Sequence, residues 1–188
     1  MIKNIAIFAS GVGTNALNII RTFEKSDEIN IKLLICNKSD APILDSVKKY
    51  NIETLIISNE KTNDSKFLIE NCNWFNINLI VLAGFLRKLP KEFIEYFPNQ
   101  IINIHPSLLP KYGGQGMWGD NVHKKVIENK EKESGITIHY VDTEYDSGEI
   151  IAQFKCDLKE ETTFKDLKSK ISELEMMYYP YVIETILI

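Results

Sequence analysis

Asn103 and His105 are the two residues whose types and spacing point most directly to chemistry, closing the apolar run Ile101-Ile102-Asn103-Ile104-His105 just before Pro106. Residues two apart on a strand face the same way, so an amide and an imidazole converge on one point. Such a pair suits a reaction that builds negative charge on a carbonyl oxygen, with Asn as a neutral donor and a protonated His as a charged one. A neighbouring carboxylate helps to keep that His protonated. Asp142 and Asp146 are the candidates, both in the polar stretch Asp142-Thr143-Glu144-Tyr145-Asp146-Ser147-Gly148 that follows His139. Spacing alone does not choose between them. Each residue also has a plainer reading: a buried His satisfied by backbone, an Asn at a strand end, a solvated carboxylate. Their joint occurrence favours catalysis. A zinc site built from His105, His123 and His139 is the metal alternative, but their spacings lack the i, i+4 pairing of a helical zinc motif, and no metal is expected.

A second motif is Ser10-Gly11-Val12-Gly13-Thr14-Asn15-Ala16, set between a strand-like and a helix-like stretch. Glycines there let the backbone turn tightly and aim amide hydrogens at an anion on a helix N-terminus. The plain alternative is a tight turn that needs glycine for its geometry alone. The stretch also satisfies G-x-G-x-x-A, but the dinucleotide reading asks for an acidic residue about 20 positions on. Ile35-Cys36-Asn37-Lys38 offers none, and no Gly-Lys-Ser/Thr follows for a Walker loop.

Both motifs need a scaffold. Short β-branched runs at 5–9, 32–36, 54–57, 79–82 and 101–104 alternate with amphipathic stretches, which predicts an α/β fold, Rossmann-like, with a mainly parallel sheet and helices on both faces. Leu79-Ile80-Val81-Leu82 is apolar throughout, as in a strand covered on both faces. Asn15 precedes a periodic stretch to Phe23 as a helix-start signal, and Pro90 fits the first turn of another helix. Beyond a glycine-rich stretch from Lys111 to Gly116, a helix over 120–129 leads to late strands at 135–141 and 149–155, one of them antiparallel. The last helix, over 163–188, opens on Thr163 and Asp166 in a capping-box pattern and contains Pro180, expected to kink it. Without repeats or linkers, residues 1–188 form one expected domain.

Composition narrows the partners. A net charge of -4 with 26% charged residues argues against a nucleic-acid footprint and for small-molecule substrates. No apolar stretch approaches the roughly 20 residues that span a bilayer. The start at Met1 lacks signal-peptide features, and Cys36, Cys72 and Cys156 have no paired spacing, so a cytoplasmic setting without membrane or disulfide framework is expected.

With these residues in view, the chain resembles the phosphoribosylglycinamide formyltransferase family, folate-dependent enzymes of purine synthesis. Ser10 to Asn15 is similar to the family's phosphate loop, and Leu82-Ala83-Gly84-Phe85-Leu86-Arg87 to its folate-side strand end. Asn103 to Pro110 is similar to the formyltransferase signature, and Tyr145-Asp146-Ser147-Gly148 to the catalytic aspartate loop. The resemblance covers essentially the whole length. It implies a catalytic trio of Asn103, His105 and Asp146, and so selects Asp146 over Asp142. It implies acceptor contacts at Gly11, Gly13, Thr14 and Asn15 for the phosphate and Glu175 for the ribose. A folate pocket at Leu86, Arg87, Lys88 and Leu89 with Asp142 is implied too, and His139 is a supporting residue.

The implied reaction passes the formyl group of 10-formyltetrahydrofolate, a co-substrate, to the amine of 5-phosphoribosylglycinamide, in a monomer or homodimer and without a metal. The alternatives are another formyl-folate enzyme, either a hydrolase or one with a different amine acceptor, and a non-catalytic nucleotide-binding module. Two departures stand out: the stretch Gly113 to Gly119 is longer than the family's corresponding loop, and Lys88 replaces a common aliphatic residue.

Overall fold

A computed structural model describes all 188 residues. Strands and helices alternate as β1 (Lys3–Ala9), α1 (Thr14–Phe23), β2 (Ile29–Cys36), α2 (Pro42–Val47), β3 (Glu53–Ile56), α3 (Ser65–Trp74), β4 (Ile77–Leu82), α4 (Lys91–Tyr96), β5 (Ile101–His105), α5 (Asp120–Glu128), β6 (Glu133–Tyr140), β7 (Ile150–Asp157) and α6 (Phe164–Leu187). In hydrogen-bonding order the seven strands run β3-β2-β1-β4-β5-β6-β7. β1 is parallel to β2 and β4, β2 is parallel to β3, and β6 is antiparallel to β7. The fold is therefore α/β, with the parallel sheet and late antiparallel edge that the alternation predicts. No helix is long and apolar enough to cross a membrane.

The chain packs as two compact units, Met1–Ile102 with Ile183–Ile188, and Asn103–Val182. In the first, Ile5, Ala6, Ile7, Phe8 and Ala9 are fully buried, because a parallel strand with neighbours on both sides is covered on both faces. Phe8 meets the half-buried Phe85 edge-on at 5.3 Å and Phe93 at 6.0 Å, and each of the two fully buried rings, Phe8 and Phe93, is worth about 1.5–3 kcal/mol of transfer free energy. The predicted start of α1 needs correcting. Asn15 is not its cap; Gly13 is, in the left-handed region with φ 73°, and no side chain caps the helix.

In the second unit, Ile136 and Ile138 of β6, Val122 and Val126 of α5, and Leu167 and Ile171 of α6 supply the core. β6 is buried on both faces, so its polar side chains Thr137 and His139 stand in the interior and must find partners there. Phe154 of β7 stacks on Tyr178 of α6 at 3.7 Å. The capping box at the start of α6 is present: Asp166 N donates to Thr163 Oγ1 at 3.2 Å, and Thr163 N donates to Asp166 Oδ2 at 3.0 Å. Pro180 lies inside α6.

Candidate active site

In the first unit, β1 ends at Ala9 and the chain turns through Ser10 to Gly13 into α1. The turn needs glycine at position 13 for two reasons. Its φ is positive, and a Cβ there would sit 2.7 Å from Ile43 of α2. Gly11 is different, since a Cβ on it meets nothing within 4 Å. The uncapped N-terminus of α1 carries the positive end of the helix dipole, and the loop leads directly to it.

A chain of side-chain hydrogen bonds underlies this loop. Ser10 Oγ donates to Asn37 Oδ1 at 2.6 Å, and Asn37 Nδ2 donates to Asn59 Oδ1 at 2.8 Å. The same Ser10 oxygen accepts from Leu86 N at 3.0 Å, which ties the loop to the segment after β4. In that segment Gly84 takes φ 72°, and Leu86, Arg87 and Lys88 are exposed. Leu89 is 4% exposed, so its side chain belongs to the core and only its backbone is available to a ligand.

The second unit brings together the chemically active residues. His105 is 3% exposed, and its Nδ1 lies 3.4 Å from Asp146 Oδ2. Its Nε2 donates to the Tyr112 carbonyl at 2.8 Å. Both partners of the ring are acceptors, and both are satisfied at once only when each ring nitrogen carries a hydrogen. Asp146 sits at φ 54° and accepts from Gly114 N at 2.9 Å. Burial pushes its carboxyl upward, but the contact with His105, that ring's charge and the Gly114 amide outweigh it and hold the pKa below the usual 3.8.

Asn103 is not hydrogen-bonded to His105. Its Nδ2 lies 3.3 Å from His139 Nε2. His139 Nδ1 in turn donates to the Tyr140 carbonyl at 2.8 Å, and its Nε2 is 3.7 Å from Asp146 Oδ1. Burial lowers the His139 pKa, against smaller opposing effects of the Tyr140 carbonyl and Asp146.

Asp142 has a different job. Its Oδ1 accepts from Glu144 N and Ser147 Oγ, both at 2.9 Å, which folds the 142–148 loop. Gly148 closes that loop where a Cβ would fall on the Tyr140 carbonyl. Glu175 stands half-buried on α6. His123, on α5, is buried with its Nδ1 unpartnered, and burial lowers its pKa. No group of three His, Cys, Asp or Glu side chains is arranged to hold a metal ion.

Thr137 and Gln153 hold the segment after β5 from below. Leu109 N donates to Thr137 Oγ1 at 2.9 Å, Thr137 Oγ1 donates to the Ser107 carbonyl at 2.7 Å, and Gln153 Nε2 donates to the Leu109 carbonyl at 2.9 Å. Tyr112 is the participant that side-chain chemistry does not announce, because it acts through its carbonyl. Its φ of 59° aims that oxygen, while its hydroxyl donates to Glu131 at 2.8 Å. The available signal is position: Tyr112 lies two residues past the Asn103–Pro110 segment, immediately before the glycines at 113 and 114.

The formyl transferase family profile matches residues 3–183. The chain is 33% identical over 190 residues to the chloroplastic phosphoribosylglycinamide formyltransferase of Arabidopsis thaliana, covering 98% of this chain but 65% of that protein, less than two thirds of its length. It is 33% identical over 190 residues to the phosphoribosylglycinamide formyltransferase of Bacillus subtilis, covering 98% of this chain and 95% of the relative. Among solved structures, the phosphoribosylglycinamide formyltransferase of Coxiella burnetii superposes with a TM-score of 0.90 at 35% identity, over 100% of this chain and 88% of the other.

Proposed function

The chain belongs to the formyl transferase family, and on that premise we propose that residues 1–188 act as one formyltransferase domain that passes the formyl group of 10-formyltetrahydrofolate to the amine of 5-phosphoribosylglycinamide. The observation that carries this reading is the buried His105 with Asp146 at 3.4 Å and Asn103 on the same strand as His105, in a chain matched by the family along nearly its whole length.

In this reading the substrate amine attacks the formyl carbon, a C–N bond forms, and negative charge develops on the formyl oxygen. Asn103 spends one Nδ2 hydrogen on His139 and directs the other at that oxygen. His105 joins it once the Tyr112 carbonyl releases its Nε2 hydrogen. Asp146 keeps His105 charged and relays the proton that leaves the amine to the departing folate nitrogen, through water. The C–N bond to folate then breaks, and charge and atoms balance without a covalent enzyme intermediate.

The binding roles are assigned residue by residue. Gly11, Gly13, Thr14 and Asn15 hold the acceptor's phosphate, and Glu175 accepts hydrogen bonds from its ribose hydroxyls. Leu86 offers an apolar side chain, 56% exposed, to the folate, with Arg87, Lys88, the Leu89 backbone and the Asp142 loop. The domain is expected to work in the cytoplasm, as a monomer or homodimer, without metal, nucleic acid or membrane.

The test is a formyl-transfer assay with 10-formyltetrahydrofolate and either glycinamide ribonucleotide or buffer alone, with products identified by mass. Formylated ribonucleotide is the expected product. Formate released at the same rate with and without acceptor would mean a hydrolase, and nucleotide binding without turnover would mean a binding module.

A further inference from the structure

We infer that His139 is a positioning residue for the reaction: held neutral with its proton on Nδ1, it fixes which way the Asn103 amide faces, and so keeps an N–H available for the substrate oxygen. The inference rests on the proposed formyl transfer for its catalytic consequence, but its structural content stands on hydrogen-bond geometry and the burial of the ring.

His139 Nδ1 lies 2.8 Å from the Tyr140 carbonyl. A carbonyl only accepts, so Nδ1 carries a hydrogen. The other ring nitrogen faces two groups of opposite demand. Asn103 Nδ2, at 3.3 Å, can only donate and needs a bare Nε2, whereas Asp146 Oδ1, at 3.7 Å, can only accept and needs an Nε2 hydrogen. With the amide nitrogen toward the ring the two demands cannot be met together, whereas the amide oxygen in its place would accept from a protonated Nε2.

Three observations decide for Asn103. Its contact is the shorter one. The Asp146 carboxylate is already engaged through its other oxygen, by His105 at 3.4 Å and the Gly114 amide at 2.9 Å. The His139 ring is 2% exposed, and a second cation beside His105 would be both desolvated and repelled. The charged and titratable groups facing His139 are Asp146, Asp142 and His105, and the two carboxylates do not offset burial.

The orientation of an Asn amide follows from its partners. A neutral His139 therefore selects the orientation with Nδ2 toward the ring, and the second Nδ2 hydrogen remains for chemistry. A doubly protonated His139 would select the reverse, with Oδ1 toward the ring and Nδ2 turned away from its place. The ring's protonation state thus sets the polarity of the group that meets the substrate.

Two measurements test this. Long-range 1H–15N correlation on histidine-labelled protein at neutral pH should show His139 with its hydrogen on Nδ1 and a bare Nε2; an Nε2-protonated ring overturns the inference whatever the activity. In single-turnover formyl transfer, His139→Leu should lose about 10–100-fold in rate with KM for both substrates within about 3-fold, because only an orientation made in the transition state is lost. His139→Gln, whose Oε1 can accept from Asn103, should recover to within about 5-fold of wild type. In an Asn103→Ala background, His139→Leu should cost less than about 2-fold more, since coupled residues are not additive. A folded His139→Gln as slow as His139→Leu, or a full His139→Leu loss without Asn103, overturns the positioning role. Absence of formyl transfer in the wild type would instead defeat the functional reading, and the tautomer measurement would still judge the geometry.

Discussion

Replacing Asp146 with Asn removes a charge while keeping an acceptor of nearly the same shape, which isolates electrostatics from packing. Asp146 Oδ2 stands 3.4 Å from His105 Nδ1, and opposite unit charges at that distance attract by about 5 kcal/mol at an effective dielectric of about 20. That is an upper bound, because the amide oxygen of the Asp146→Asn variant would retain the Gly114 N–H and a dipolar contact with the ring. A loss of about 3–4 kcal/mol, or roughly 10²–10³-fold in the chemical step, is the expected outcome. Asp142→Asn is the internal control. Its Oδ1 would still accept from Glu144 N and Ser147 Oγ, so the loop keeps its turn and the rate should stay within about 3-fold. Single-turnover quench-flow with saturating acceptor measures both variants without interference from product release. Equal losses would show that the loop's shape matters and not the Asp146 charge, and a near-normal Asp146→Asn rate would remove the carboxylate from the mechanism.

Gly13→Ala should destabilise the fold by about 1–3 kcal/mol in urea titration, through left-handed strain and the 2.7 Å approach to Ile43, whereas Gly11→Ala should stay within about 0.5 kcal/mol; equal effects would mean that the loop relaxes freely. His139 and His123 both have pKa values below the usual 6.5, so the folded state binds fewer protons than the unfolded one. Their contribution to stability is full above about pH 6.5 and is lost as pH falls from there toward the folded values, by up to about 1.4 kcal/mol per pH unit for each ring; urea midpoints at pH 7.5 and 5.5 should show it, and a higher midpoint at 5.5 would contradict it. Under native conditions half-buried Cys156 should alkylate well before Cys72, whose buried thiol is pushed up to about 12, as mass spectrometry of iodoacetamide-treated protein would show.

Much of the fold is legible in the sequence because each strand announces itself by composition. Leu79 to Leu82 is apolar at every position, and β4 is buried there on both faces. Boundaries move by one to three residues where the sheet extends past the apolar run, as at Ile29-Asn30-Ile31 before the predicted start of β2. The start of α1 misleads because Asn15 is a good cap by type, while the turn's positive φ selects Gly13 two residues earlier. In the site, residue types and loop position narrow the partner of His105 to Asp142 or Asp146, the resemblance selects Asp146, and the structure sets its Oδ2 3.4 Å from His105 Nδ1. The partnership of Asn103 with His139 does not, since it depends on which strand lies alongside, a fact that no local spacing contains. Tyr112 is hidden for another reason: every residue has a carbonyl, so a site that uses one leaves no mark in the side-chain alphabet.

The Ser10 hydroxyl has a consequence for how two ligands would sense each other. One oxygen serves the glycine-rich loop and the Leu86 amide at once, and its own hydrogen is committed to Asn37. On the proposed assignment these segments belong to different substrates, the phosphorylated acceptor and the folate. A ligand that stills one segment restricts the other through that shared oxygen, and leaves it less freedom to lose when the second ligand arrives. The two substrates should therefore bind with positive cooperativity by an entropic route, visible in calorimetry as a smaller entropic penalty for the second ligand and diminished in Ser10→Ala.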